Sequence, residues 1–397
     1  MDPLAAGQIR WHDRTVRWSA TALLLMALVG CSGGGEVPAP APDTSASAAA
    51  FPDPGTRTLE PAKAKALQDA LAKTVAFPDS PSGSRGATAA VVTDQWAWSG
   101  AAGTDIRGTS LRADTSMAVA SITKTFVASE VMLLAQAGKL NLDLPLSRYV
   151  NHKLAANDAT VRQHLSMTSG VPDFQPADFG TLDKAVAAAP EKHWTLAGSL
   201  DFYTSKVGAP DSPFSYSNPS YALLGMLIEK IKGEPLASVL RRDLATPAGL
   251  RHAAFQDGEK PQPPVAVDDN ESCGEPDGYL PCRAFASANA AYGGLAADAP
   301  TVARWGYELY GGRVLPPDLV GEMIKGDGEY GLGTMRFTQL FGIGDAYGHR
   351  GDMPDHSSLL IVIPEKRISV ALILADGGRD VDSAMGRLTK ALQPLLG

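Results

Sequence analysis

Surplus positive charge, long apolar runs and cysteine are all scarce in this chain of 397 residues. Lysine and arginine number 35 against 43 acidic residues, a formal net charge of −8. No basic stripe of the kind that phosphate neutralisation requires is present, so nucleic acid is not expected as a partner. The apolar run TALLLMALVG at 21–30 is too short to cross a bilayer as a helix, which takes about 20 apolar residues. No internal repeat and no heptad run is found, which removes solenoids and coiled coils. What remains, 44% hydrophobic and 20% charged, suits a soluble globular chain with a sizeable core in one large or two smaller domains.

The three cysteines divide between two settings. Arg10, Arg14 and Arg17 precede the apolar run, which ends in LVGC at Cys31. This pattern reads as an export signal over 1–31 closing in a sequence that resembles the bacterial lipobox, whose cysteine is lipid-modified. The expected location is therefore the extracytoplasmic face of a bacterial membrane, with the membrane engaged through the lipid on Cys31. Residues 32–56, SGGGEVPAPAPDTSASAAAFPDPG and its neighbour, are rich in Gly, Pro, Ala and Ser. They read as a tether with too little apolar surface to offset ordering entropy. Cys273 and Cys282 flank the turn-rich GEPDGYLP. In an oxidising compartment they can form a local disulfide or stay as two buried thiols, and spacing leaves both open.

The folded domain is expected over 57–397. LEPAKAKALQDALAKT has helical spacing, and GATAAVVTDQWAWSGAAG reads as two strands about a Thr-Asp-Gln turn. From Ser121 the period becomes helical, with Gly138 as its stop, and helical text continues to about residue 250. LLIVI and ISVALILA, at 359–363 and 368–375, suit central antiparallel strands covered on both faces, and a helix closes the chain. Strands at both ends with helices between them predict an α/β sandwich, an antiparallel sheet flanked by helices and interrupted by a mostly helical insertion.

Three short motifs carry chemistry. Ser121 and Lys124 form S-x-x-K at a helix start, where free backbone N–H groups can hold an oxyanion and positions i and i+3 share a face. Tyr216-Ser217-Asn218 lies just before a helix bracketed by Pro219 at its first position and Gly233 past its end. His349-Arg350-Gly351 stands at the entry to a strand. Although His349, Asp352, Asp355 and His356 fall close together, no second ligand cluster accompanies them, and neither metal nor other cofactor is expected.

In this order the three motifs resemble those of the serine β-lactamase and penicillin-binding protein superfamily. The likeness is to the branch with class C β-lactamases, D-alanyl-D-alanine carboxypeptidases and family VIII esterases. It extends to connecting text such as VRQHLSMTSGVPDF and AAYGGLAADAPTVARWG. The resemblance implies a β-lactamase-like fold and acyl transfer through Ser121, with Lys124 or Tyr216 as base, a choice that the sequence leaves open. It further implies that Asn218 binds substrate amide or acyl groups, that His349 supplies a polar or cationic group beside Tyr216, and that the N–H groups of Ser121 and Asp352 form the oxyanion hole. The branch usually has a small hydroxyl where Arg350 stands and a small neutral residue where Asp352 stands. If they face the cleft beside Gly351, Arg350 would attract a substrate carboxylate and Asp352 would repel one. The expected function is a cell-envelope serine hydrolase acting on D-alanyl peptides or β-lactams. The alternatives are an esterase or D-amino-acid amidase, or an inactive binding protein, which the intact Ser121, Lys124, Tyr216 and Asn218 disfavour.

Overall fold

A computed structural model describes residues 49–268, 273–274, 277–326, 328–339 and 341–396. Cys31, the expected signal and most of the expected tether lie outside the described residues.

The main sheet has seven strands. They are β1 (Arg57–Thr58), β2 (Gly86–Val92), β3 (Trp96–Gly103), β7 (Met335–Phe337), β8 (Ala346–Asp352), β9 (Ser357–Ile363) and β10 (Ile368–Leu374). A smaller sheet is formed by β4 (Met117–Ala118), β5 (Ala254–Phe255) and β6 (Leu295–Ala297). The main sheet runs β1-β3-β2-β10-β9-β8-β7, and every pairing is antiparallel except the short parallel contact of β1 with β3. The expected strands at 359–363 and 368–375 are thus β9 and β10, central and wholly buried.

Alternation along these strands explains the layers. Leu359, Ile361, Val370 and Leu372 face one side, where helices Pro61–Val75 and Val381–Leu392 cover them. Leu360, Val362, Ala371 and Ile373 face the other, against helix Ala299–Tyr310. That helix lies close because Gly306 meets the sheet: a Cβ there would sit 2.6 Å from Leu360 Cδ1 and 2.8 Å from Val362 Cγ2. Behind it, helix Thr123–Gln136 is buried along most of its length, with Phe126 stacked on Trp305 at 3.7 Å. The stretch between β4 and β5 is mostly helical and includes Asn218–Lys232, in agreement with the expected insertion.

Two expectations need correction. The tether does not extend to residue 56 as part of a free segment. Phe51 N–H donates to Gly311 O (2.7 Å), the Phe51 ring packs on Tyr307, Asp53 pairs with Arg313, and Gly55 N–H donates to Thr93 O (2.8 Å). An aromatic ring, an ion pair and backbone hydrogen bonds together hold this Pro-rich stretch on the domain. Second, His349-Arg350-Gly351 belongs to a strand of its own, β8, one hairpin before the strand expected there. Its polar and glycine residues conceal it from a hydrophobicity reading.

Cys273 and Cys282 are joined, with Cα atoms 5.6 Å apart, so of the two options the disulfide is the one present.

Candidate active site

Ser121 sits in a single 3₁₀ turn, Ala120–Ile122, that runs into helix Thr123–Gln136. The turn is held from several sides. Thr123 Oγ1 donates to Ala120 O (2.6 Å) and accepts from Leu295 N–H (3.1 Å), while Ser358 Oγ donates to Val119 O (2.9 Å). Ala120 has φ +49°, a left-handed conformation that costs a non-glycine residue on the order of 1 kcal/mol and that these bonds maintain. Strand β8 passes this turn so closely that a Cβ on Gly351 would strike Val119 O and Ser358 Oγ. The third residue of the His-Arg-Gly motif has to be glycine for that reason.

Lys124, one turn after Ser121 and second in the helix, is fully buried. Its Nζ lies 3.0 Å from Ser121 Oγ, 2.7 Å from Asn218 Oδ1, 2.8 Å from Tyr292 O, and 4.9 Å from the centre of the Tyr216 ring. Burial lowers its pKa to about 7, and the Asp173 carboxylate opposes that fall. Tyr216 is driven the other way: burial pushes its phenol well above the ordinary value, only partly offset by a hydrogen bond with Ser121. The amine is therefore the group that loses its proton near neutrality.

Asn218 opens helix Asn218–Lys232, and its neighbour Ser217 is the cap, accepting from Ser220 N–H at 3.1 Å. Asp173 orients Asn218. Its carboxylate accepts from Asn218 N–H (3.0 Å) and Nδ2 (3.2 Å), which turns Oδ1 toward Lys124. Neither Asp173 nor the Tyr292 carbonyl was singled out from sequence. Asp173 stood as a lone acid between Pro172 and Phe174, a usable signal, whereas a backbone carbonyl leaves none.

At the tip of the β8–β9 hairpin, Met353 and His356 exchange both backbone bonds (2.8 and 3.4 Å). Antiparallel alternation then directs the N–H and C=O groups of Gly351 and His349 toward β9, and those of Asp352 and Arg350 toward the opposite edge. Pairing of β7 with β8 ends at Gly348, so Asp352 N–H points to an edge without a partner strand, beside the Ser121 turn.

Side chains alternate as well, and this corrects the expected roles of two residues, Arg350 and Asp352. His349 and Gly351 face Ser121. Arg350 and Asp352 face away: Arg350 makes a two-pronged contact with Asp382 (2.8 and 2.6 Å), and Asp352 accepts from Ser357 Oγ (2.9 Å) and Gly378 N–H (2.7 Å). Neither charge reaches a substrate beside Ser121. His349 is not cationic, since burial, reinforced by Lys124, lowers its pKa to about 3. Its Nδ1 donates to Arg350 O (2.5 Å), which leaves Nε2 to accept from the Tyr330 hydroxyl (3.0 Å). Its ring centre stands 6.2 Å from that of Tyr216. Tyr330 was also missed in the sequence.

A family model described as Beta-lactamase matches residues 71–393. The chain belongs to the Beta-lactamase family. Among its relatives, Protein flp of Staphylococcus aureus (strain NCTC 8325 / PS 47) is 28% identical over 147 residues, 36% of this chain and 28% of flp. The penicillin-binding-protein candidate PbpX of Bacillus subtilis (strain 168) is 26% identical over 153 residues, 38% of this chain and 36% of PbpX. The matched part thus spans well under half of either relative. Among solved structures, D-amino acid amidase from Ochrobactrum anthropi SV3 superposes with a TM-score of 0.70 at 24% identity, covering 85% of this chain and 100% of that one. That likeness is one of fold, and it agrees with the α/β arrangement of a Beta-lactamase-family sheet and helical insertion.

Proposed function

We propose that this Beta-lactamase-family protein is a serine hydrolase that works through an acyl-enzyme on Ser121. The observation that carries the reading is the buried Lys124 amine, with a pKa of about 7, 3.0 Å from Ser121 Oγ. Neutral Lys124 takes the Ser121 proton as Oγ bonds to the substrate carbonyl carbon. The resulting oxyanion is held by the N–H groups of Ser121, at its helix N-terminus, and Asp352, at the open edge of β8. Collapse breaks the bond to the leaving amine or alkoxide, which receives the proton from Lys124 with the Tyr216 phenol as intermediary. Water then attacks the acyl-enzyme by the reverse proton path and frees Ser121. Asn218, oriented by Asp173, has a second Nδ2 hydrogen for the substrate's acyl amide.

The substrate class follows from what the β8 side of the cleft presents. With Arg350 committed to Asp382 and His349 neutral, neither offers a cation to a terminal carboxylate. We infer that amides or esters without one, D-amino-acid amides in particular, are preferred over D-alanyl-D-alanine peptides. The PbpX likeness keeps penicillin binding as the second reading. Residues 49–397 should be assayed on D-alanine amide, a D-Ala-D-Ala peptide, nitrocefin and a short-chain nitrophenyl ester, with Ser121→Ala as control. Turnover or phosphonate labelling that survives Ser121→Ala overturns the mechanism. A peptide preference overturns the substrate class.

Export and lipidation at Cys31 complete the proposal. The Cys273–Cys282 disulfide supports it, because such bonds persist in oxidising compartments.

A further inference from the structure

Among the described residues, only two large hydrophobic side chains are largely exposed, Phe77 at 72% and Phe214 at 56%. Single exposed apolar residues are common and by themselves mean little. Phe214 differs from Phe77 in its neighbours. Its ring centre is 5.5 Å from that of Tyr330, and Tyr330 in turn packs edge-on against Tyr216 (6.3 Å) and His349 (5.7 Å). The four rings therefore form a continuous run from solvent down to the group that hydrogen-bonds Ser121.

The segment that carries Phe214 is held at its ends. Gly208 N–H donates to Gly170 O (2.7 Å), and Ser215 N–H, directly after the phenylalanine, donates to Met167 O (2.9 Å). A fixed backbone beside an exposed ring means that the apolar surface exists before any ligand arrives, so binding need not order it first. The ring's inner edge is covered by Tyr330, and its outer part is open to water.

We propose that Phe214, together with the Tyr330 ring, forms a subsite for an aromatic or bulky apolar substituent of the substrate, and so selects among the amides and esters that Ser121 attacks. The proposal rests on the hydrolase reading above. Phe214 has no group that can transfer a proton and is a specificity residue. A substituent stacked on the ring adds an aromatic contact of the kind worth about 0.5–1.5 kcal/mol, or roughly 2- to 12-fold in affinity.

The test compares D-phenylalanine amide with D-alanine amide on the wild type, Phe214→Ala, Phe214→Tyr and Phe77→Ala. Phe214→Ala should raise KM for D-phenylalanine amide about 3- to 10-fold, with kcat nearly unchanged and D-alanine amide within twofold. Phe214→Tyr should restore the preference, and Phe77→Ala should have no effect. Equal losses on both amides, or a wild type indifferent to the phenyl group, overturn the subsite. If the wild type cleaves neither amide, the amidase reading fails and the subsite is read by covalent labelling of Ser121 with benzyl and methyl fluorophosphonates. There a wild-type preference for benzyl that Phe214→Ala abolishes supports it, and equal labelling rates or no labelling overturn it.

Discussion

Lys124 makes the pH dependence of acylation the sharpest test of this active site. The fall of its pKa from 10.5 to about 7 corresponds to roughly 5 kcal/mol, at about 1.36 kcal/mol per pH unit, borne by the fold to keep an amine in a dry site. The sign is fixed by the direction of the shift. Between about pH 7 and 10.5 the unfolded chain binds this proton and the folded one does not, so this group opposes folding most in acid and less as pH rises through that window. On the proposed mechanism catalysis depends on the same proton, so kcat/KM should fall tenfold per pH unit below about 7 and reach about 1% of its plateau at pH 5. The groups around Nζ are Ser121, Asn218, Tyr216, Tyr221, Tyr292, His349 and Asp173. Of these, Asp173 is the acid that holds the Lys124 pKa up. Asp173→Asn should therefore move the acid limb to lower pH even as the plateau drops through loss of Asn218 alignment. The assay is stopped-flow acylation by a nitrophenyl ester from pH 5 to 9. A wild-type profile flat between pH 5 and 8, or an acid limb that Asp173→Asn leaves in place or moves upward, would refute the assignment of Lys124 as base.

Gly351→Ala should push β8 off the Ser121 turn and slow acylation by about 10²-fold, since small misplacements of reacting groups are that costly; a rate within threefold of wild type counts against the close approach. Arg350→Ala should lower stability by less than about 1 kcal/mol, because its pair with Asp382 is partly exposed, and should leave the peptide-to-ester ratio within threefold; thermal melts and kcat/KM ratios check both. Wild-type protein should partition with membranes and incorporate labelled palmitate, and Cys31→Ala should do neither; labelling that persists in the variant refutes the lipid anchor.

Much of this site was legible in sequence because its key residues sit at helix starts, where local signals are strongest. Ser121 and Lys124 are three apart on one helical face, and Ser217-Asn218-Pro219 announces the next helix. Strands β9 and β10 were equally plain, being apolar on both faces. Strand β8 was not, because its His, Arg, Gly and Asp residues serve two different surfaces. Only the paired sheet shows that His349 and Gly351 turn toward Ser121 while Arg350 and Asp352 turn toward the helix at Val381–Leu392.

The amino-acid order alone determined the spacing of Ser121 from Lys124 and the helix and strand periods, which depend on residues near one another in the chain, and the family, which depends on the order of short local motifs. Tertiary structure decided protonation and direction. Which of Lys124 and Tyr216 yields a proton depends on how deeply both are buried and on Asp173, an acid 49 positions from Lys124 in sequence whose charge acts on it only through the fold. Burial and long-range charge are properties of the packed molecule, and no local pattern encodes them.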